Sequence, residues 1–113
     1  MLLEVKSRMS GGVAILDLVG RITIGTEANS LRAHIMEAFE HSSKNILLNC
    51  EQVAYIDSSG IGELVAARSS ITHGGGMMKL LRPPARLKSL LEMTSLDKLF
   101  EILDDEGQAV ASF

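Results

Sequence analysis

The fold of this chain is decided around residues 55–65, which read YIDSSGIGELV. An apolar run ends there, two hydroxyl residues and two glycines follow, and a helical pattern begins with Ile61, Leu64, Ala67 and Ile71 near one face. Asp and Ser side chains accept hydrogen bonds from the N–H groups that a helix's first turn leaves without partners. The pattern therefore predicts that Asp57 or Ser58 stands at the start of a helix.

Two glycines stand in the first turns of this helix. A glycine in a helix interior is roughly 1 kcal/mol less favourable than alanine. The pair Gly60 and Gly62 therefore predicts that a strand, a phosphate or another protein approaches the helix backbone closely. The alternative interpretation is a tight strand-to-helix turn with no further role.

Upstream, the sequence predicts a hairpin and a helix. Leu3–Met9 alternates apolar and polar residues, Val13–Val19 is more apolar, and Ser10-Gly11-Gly12 joins them, which indicates two antiparallel strands at a sheet edge. Gly20 is predicted to end the second strand, and residues 21–25 to form a short connection. Thr26 is expected to cap a helix from Glu27 to about His41, with its apolar side formed by Leu31, Ile35, Ala38 and Phe39.

The remaining elements alternate. Asn45–Cys50 is predicted as the central strand, residues 53–56 as a loop, and residues 74–76 as the end of the second helix. A strand over Met77–Leu81 follows. Pro83-Pro84 are expected to open a third helix whose apolar side contains Leu87, Leu90, Leu91 and Met93, and Thr94–Asp97 to break it. A last strand over Leu99–Leu103 and a helix begun by Asp104-Asp105-Glu106 complete the chain. This order predicts an α/β fold, in which a small mixed sheet of about five strands, parallel in its later part, is flanked by about four helices.

Length, composition and charge limit the function. The chain has 113 residues, 46% of them apolar, a net charge of -3 and a single cysteine, Cys50. We expect one soluble, cytoplasmic domain over residues 1–113, because no apolar run reaches the ~18 residues of a membrane span and no secretory segment opens the chain. The charge argues against direct nucleic-acid binding, and Cys50 is expected to be a small core residue.

Three chemistries find little support in the sequence. A serine hydrolase needs a histidine and an acid beside its serine, but the G-x-S-x-G pattern is missing and His34, His41 and His73 read as residues on helix surfaces or ends. The chain also lacks the lysine that a phosphate-binding loop requires. The histidines and the cysteine show no metal-ligand spacing. No catalytic residue, cofactor or metal is therefore predicted.

A serine hydroxyl at a helix start suits reversible phosphorylation. A phosphate adds about -1.5 to -2 charges, and a helix N-terminus favours anions. The modification is thus expected to leave the fold intact and to alter what docks beside Ser58 and Asp57. Like charges brought together at an interface cost several kcal/mol, which suffices for a switch.

The chain resembles the STAS domain, and within it the bacterial anti-sigma factor antagonists. The likeness covers nearly the whole sequence and is most specific in the element D-S-[ST]-G-[LI]-G, here residues 57–62; it also includes Gly20, Ile46–Asn49, Gly75-Gly76, Leu80-Leu81 and residues 87–96. The resemblance implies a partner switch. The unmodified antagonist binds an anti-sigma factor that is itself a serine kinase of the histidine-kinase-like ATPase type, and so frees a sigma factor.

The same resemblance assigns the site residues. The kinase phosphorylates the first serine of the motif, here Ser58, a PP2C-type phosphatase reverses this, and ATP belongs to the kinase. Partner contact is implied for residues 57–62, which are Asp57, Ser58, Ser59, Gly60, Ile61 and Gly62. Many family members carry an acid where this chain has Thr23, two residues after Arg21, so we expect kinase recognition to differ here. Arg21 is a candidate to pair with a phosphate on Ser58.

Two other functions remain open at this stage. One is a STAS domain whose serine is never phosphorylated and which serves as a scaffold in a lipid-transport or sensory complex. The other is a small serine hydrolase that uses Ser58.

Overall fold

The computed structural model describes residues 3–113, which form a five-stranded mixed sheet in the order β1-β2-β3-β4-β5 with four helices. The elements are β1 (Leu3–Ser10), β2 (Val13–Ile22), α1 (Thr26–His41), β3 (Asn45–Ile56), α2 (Ser58–His73), β4 (Met77–Leu81), α3 (Ala85–Met93), β5 (Ile102–Leu103) and α4 (Glu106–Ala111). The predicted number of strands and helices is confirmed.

Strand pairing follows the sequence-based expectation. β1 and β2 form the antiparallel hairpin at one edge, whereas the pairs β2–β3, β3–β4 and β4–β5 are all parallel. The predicted central strand β3 is the middle strand of the sheet. Because α2 follows β3 directly, the motif at residues 57–62 lies at the carboxyl end of that strand.

Both faces of the sheet are covered. On one face Leu16, Leu48 and Leu80 belong to a core that includes residues of α1, α2 and α3, while on the other Ile15 and Leu47 pack with a smaller cluster that includes α4. Strands buried on both sides need apolar residues at successive positions. This accounts for the continuous apolar runs in β2 and β3, and for burial of Cys50, as predicted.

Two strands are longer than predicted. β2 continues past Gly20 to Ile22, with Gly20 at a φ of 120°, a conformation that favours glycine, and with a register shift between Gly20 and Arg21. The predicted connection over 21–25 therefore begins only after Ile22. The predicted loop over 53–56 is also wrong, since β3 extends to Ile56 by pairing with the lengthened β2.

The predicted cap of α1 is also wrong. Thr26 is the first helical residue, Gly25 occupies the cap position, and no side chain caps the helix. A backbone carbonyl satisfies one donor of the first turn instead, because Ala28 N–H donates to Thr23 O at 3.1 Å.

The last predicted strand and one apolar position need correction. β5 contains only Ile102–Leu103, because a turn precedes it, in which Leu99 N–H donates to Leu96 O at 3.0 Å. Met93, expected on the apolar side of α3, is 81% exposed. It stands two residues after the buried Leu91, and two residues rotate a helix by about 200°.

A buried lysine ties α4 to the sheet. Lys79 of β4 is only 3% exposed, and its Nζ donates to the carbonyl and hydroxyl of Ser112 at 2.8 and 2.9 Å. The same ammonium lies 3.2 Å from a Glu101 carboxylate oxygen. A buried charge needs such partners, so these contacts hold the segment after α4 in place.

Candidate functional site at the start of helix α2

Asp57 joins three segments of the chain. Its backbone N–H donates to Ile22 O at 3.2 Å, its Oδ1 accepts from Gly60 N–H at 3.0 Å, and its Oδ2 accepts from Ile24 N–H at 2.9 Å. Asp57 is therefore the residue that caps α2, one of the two predicted. The loop after β2 is fixed to the start of α2 through one carboxylate.

These contacts also keep Asp57 charged. The N–H groups of Gly60 and Ile24 hydrogen-bond to the carboxylate and hold the pKa of Asp57 below its ordinary value. A fixed negative charge therefore precedes Ser58. Both carboxylate oxygens already accept a hydrogen bond from the protein.

Ser58 is the first residue of α2 and is exposed to solvent. Its neighbour Ser59 is half-buried in the same turn. In the part of the chain that the structure describes, no histidine hydrogen-bonds to Ser58: His34 contacts the carbonyl of Ser30, and His73 that of Ser69. The arrangement therefore offers an exposed serine to which no histidine of the described residues is hydrogen-bonded.

The two motif glycines have different structural roles. A Cβ added at Gly60 would lie 2.7 Å from both Ile22 O and Ile56 Cγ1, so no side chain fits where the ends of β2 and β3 meet the helix. A Cβ at Gly62 would meet nothing within 4 Å. The predicted close approach is confirmed for Gly60, where the ends of β2 and β3 contact the helix backbone. At Gly62 no other part of the described chain comes close, and the helix backbone is open to solvent.

An apolar groove opens beside Ser58. It has a volume of about 390 Å³ and is lined by Ser58, Ile61, Gly62, Val65, Leu90, Thr94 and Leu96. The groove lies between α2 and the end of α3. Sequence reasoning missed it, because periodicity places Leu90 on the apolar side of α3 but does not indicate that this side is left partly uncovered beside the serine.

Arg21 lies near the end of β2, and Thr23 lies in the loop that leads from β2 into α1. The Arg21 guanidinium lies over the Tyr55 ring, with Cζ 4.9 Å from its centroid. Thr23 donates its hydroxyl to Glu27 Oε1 at 3.1 Å. Thr23 thus stands one residue from Ile24, whose N–H contacts Asp57, and Arg21 stands one residue from Ile22, which contacts the same aspartate.

Metal binding, membrane crossing and a reactive thiol find no support in residues 3–113. No group of three or more histidine, cysteine or acidic residues there could hold a metal ion. None of the helices in this range combines the length and apolarity needed to cross a bilayer. Burial raises the pKa of Cys50 to about 12, which suits a core residue.

Comparison with known proteins gives a family match. The model of the STAS domain matches residues 4–109. An anti-sigma F factor antagonist from Paenibacillus polymyxa is 28% identical over 111 residues, covering 97% of this chain and 94% of that protein.

Solved structures share the fold. A candidate anti-sigma factor antagonist from Thermotoga maritima superimposes with a TM-score of 0.86 at 24% identity, covering 96% of this chain and 92% of that one. The Bacillus cell-fate determinant SpoIIAA, in its phosphorylated form, gives a TM-score of 0.74 at 21% identity and covers 96% and 98% of the two chains.

Proposed function

We propose, because the chain belongs to the STAS domain family, that it is an anti-sigma factor antagonist whose binding is switched at Ser58. In this proposal the unmodified chain binds an anti-sigma factor that is a serine kinase with a histidine-kinase-like ATPase fold, and so releases a sigma factor. The kinase supplies ATP and phosphorylates Ser58, a PP2C-type phosphatase removes the phosphate, and the exchange takes place in the cytoplasm. The chain itself acts as a binding protein and not as an enzyme.

The exposed hydroxyl of Ser58 is the observation that carries the proposal. It stands at the first position of α2, beyond the sheet's carboxyl edge, where a second protein can reach it. Because unpaired N–H groups of the first turn favour a nearby anion, a phosphate is compatible with the folded chain. Phosphorylation is therefore expected to change binding rather than stability.

The groove beside Ser58 suits the partner contact. Ile61, Val65, Leu90 and Leu96 give it apolar walls, and Gly62 leaves room at the helix surface. An apolar side chain of the kinase would bury against these groups while its active site reaches the Ser58 hydroxyl. Binding and phosphoryl transfer would then use adjacent parts of one surface.

Charge explains how the phosphate would end the complex. Asp57 is already ionised, so a phosphoserine next to it concentrates negative charge at the groove's rim. A partner that meets this rim with apolar or acidic groups must then desolvate the phosphate or face like charge, which costs several kcal/mol. Each ~1.4 kcal/mol lost weakens binding tenfold.

The experiment is intact-mass analysis after incubation with the cognate kinase and ATP. We expect a gain of one phosphate in the wild-type chain and in Ser69→Ala, and none in Ser58→Ala. Ser69 is the matched control because it is an exposed serine on the same helix.

Two other results would replace the proposal. A chain that gains no phosphate but binds a stable assembly would be a scaffold. Turnover of an ester substrate that Ser58→Ala abolishes would identify a hydrolase.

A further inference from the structure

Two arginines share one aromatic ring near the candidate site. The guanidinium carbon of Arg21 lies 4.9 Å from the centroid of the Tyr55 ring, and that of Arg86 lies 4.5 Å from it. Arg21 comes from β2, Tyr55 from β3 and Arg86 from the first turn of α3. Both arginines are exposed and Tyr55 is half-buried.

The two charges lack an acidic partner. Among the ion pairs of residues 3–113, arginines 8, 32 and 82 contact carboxylates, but arginines 21, 68 and 86 do not. The acids on the neighbouring segments are engaged elsewhere, since Glu27 accepts from Thr23 and Asp57 accepts from two backbone N–H groups. Stacking on a ring offsets part of the repulsion between two cations, and an anion bound between them would remove it.

The register places Arg21 and Tyr55 at the edge of the sheet from which α2 begins. Arg21 is paired with Tyr55, and the next pair is Ile22 with Ile56. The carbonyl of Ile22 accepts from Asp57 N–H, and Ser58 follows directly. Arg21 and Tyr55 therefore lie near the ends of two paired strands, and Ser58 follows Tyr55 by three residues.

We propose that Arg21 and Arg86 form a phosphate-binding clamp, with Tyr55 as the surface that holds both guanidinium groups. Guanidinium groups bind phosphate oxygens through paired N–H donors, so the ligand is a phosphate monoester dianion. It can come from two sources: a phosphate on Ser58 of this chain, or a free phosphate compound. Only the first source depends on the proposed function.

One experiment has two arms. In the first, phosphoserine is inserted at position 58 during translation, so no kinase is needed, and its pKa is followed by phosphorus NMR. In the second, the unmodified chain is titrated with inorganic phosphate at constant ionic strength while the Nε–H signals of Arg21 and Arg86 are observed. Both arms compare the wild type with Arg21→Gln/Arg86→Gln and with the charge-matched control Lys6→Gln/Lys98→Gln.

The first arm tests the chain's own phosphate. Nearby cations favour the dianion, so we expect the phosphoserine pKa, ordinarily about 6, to rise by roughly half a pH unit or more when both arginines are replaced. The control pair should leave it nearly unchanged. The helix N-terminus acts equally in all variants, so the difference isolates the arginines.

The outcomes separate the sources. A pKa that depends on the arginines assigns the clamp to phosphorylated Ser58. Saturable Nε–H shifts with inorganic phosphate in the wild type and in the Lys6→Gln/Lys98→Gln control, without the pKa effect, assign it to a free phosphate compound. If the double variant, found folded by circular dichroism, has the same phosphoserine pKa as the wild type, and inorganic phosphate shifts no Nε–H signal of Arg21 or Arg86 in the wild type, the clamp is refuted and the arginines only stack on Tyr55. Failure of the kinase experiment above would leave this result unaffected.

Discussion

Asp57 and Ile24 are joined by a hydrogen bond of 2.9 Å, from the N–H of Ile24 to the Oδ2 of Asp57. The other carboxylate oxygen accepts from Gly60 N–H. The residue that caps α2 thereby also fixes the loop that follows β2. The geometry around Ser58 depends on this carboxylate being ionised.

Replacing this carboxylate should give a pH-dependent loss of stability. Asp57→Asn keeps the shape but turns one acceptor into an N–H₂ donor, so one of the two backbone N–H groups loses its partner. The folded-state pKa of Asp57 is lowered, so its contribution is present above the unfolded pKa of about 3.9 and is lost as pH falls through the folded value. We expect a lower Tm for the variant than for the wild type at pH 7, and a smaller difference in Tm between the two below pH 3. An equal difference in Tm at both pH values would contradict a stabilising role of the ionised Asp57 carboxylate.

The two motif glycines should respond oppositely to alanine. Gly60→Ala places a methyl group 2.7 Å from Ile22 O, and overpacking of this kind destabilises by about 1–3 kcal/mol. Gly62→Ala meets no atom within 4 Å and should raise the free energy of unfolding by up to about 1 kcal/mol through helix propensity. Urea denaturation measures both. Two variants of equal stability would show that the steric difference is not real.

Gly62→Ala should also weaken the kinase complex while it stabilises the free chain. An added methyl group would occupy the groove at the helix surface. The measurement is titration calorimetry against the kinase. Unchanged affinity would remove Gly62 from the binding surface.

A charge placed in the groove should separate binding from folding. Val65→Lys puts an ammonium group among apolar walls, which a docked partner would have to bury at a cost of several kcal/mol. We expect at least about tenfold weaker kinase binding. Ser89→Lys adds the same charge on an exposed position of α3 outside the groove and serves as control. Equal affinities of the two variants would argue against docking in the groove.

A separate ionic cluster should stabilise the face of the sheet that α4 covers. Arg8 Nε lies 2.7 Å from Asp17 Oδ2, and Arg8 Nη2 lies 2.6 Å from Glu106 Oε1. Hydrogen bonds from Arg8 lower the pKa of both acids. Because Arg8 is 41% exposed, solvent limits the loss in Arg8→Gln to about 1 kcal/mol.

The loss in Arg8→Gln should be present at pH 7 and fade as pH falls through the lowered pKa values of Asp17 and Glu106. Lys6→Gln removes a more exposed pair with Glu4 and should change stability little. Urea denaturation at two pH values measures both variants. An equal loss in the free energy of unfolding in both variants would show that the cluster stabilises the fold no more than an exposed ion pair does.

Local patterns predicted the architecture well. The helical spacing after Gly62, the capping chemistry of Asp57 and the apolar runs around Ile46 and Ile15 are short-range signals, and each leads to an element found in the structure. The predicted ends of β2 and β3 were wrong because they depend on pairing partners that are distant in the sequence. β2 passes Gly20, and β3 passes Val53, because each strand supplies the other's pairing partners, which neither segment signals alone.

The candidate site was predictable only in part. A serine at a helix start can be read from residues 57–62. The groove beside it, by contrast, needs Leu90 and Leu96 to be brought next to Val65, and the cluster of Arg21 and Arg86 on Tyr55 needs three elements to meet. Such arrangements follow from tertiary packing, which a single sequence does not specify.

The central claim is that a phosphate on Ser58 controls binding of the partner kinase. Its most direct test is the Kd of the kinase, measured by titration calorimetry, for the unmodified chain and for the chain carrying phosphoserine at position 58. The account predicts that the phosphorylated chain remains folded and binds at least about tenfold more weakly. Equal affinity of the two forms would contradict it.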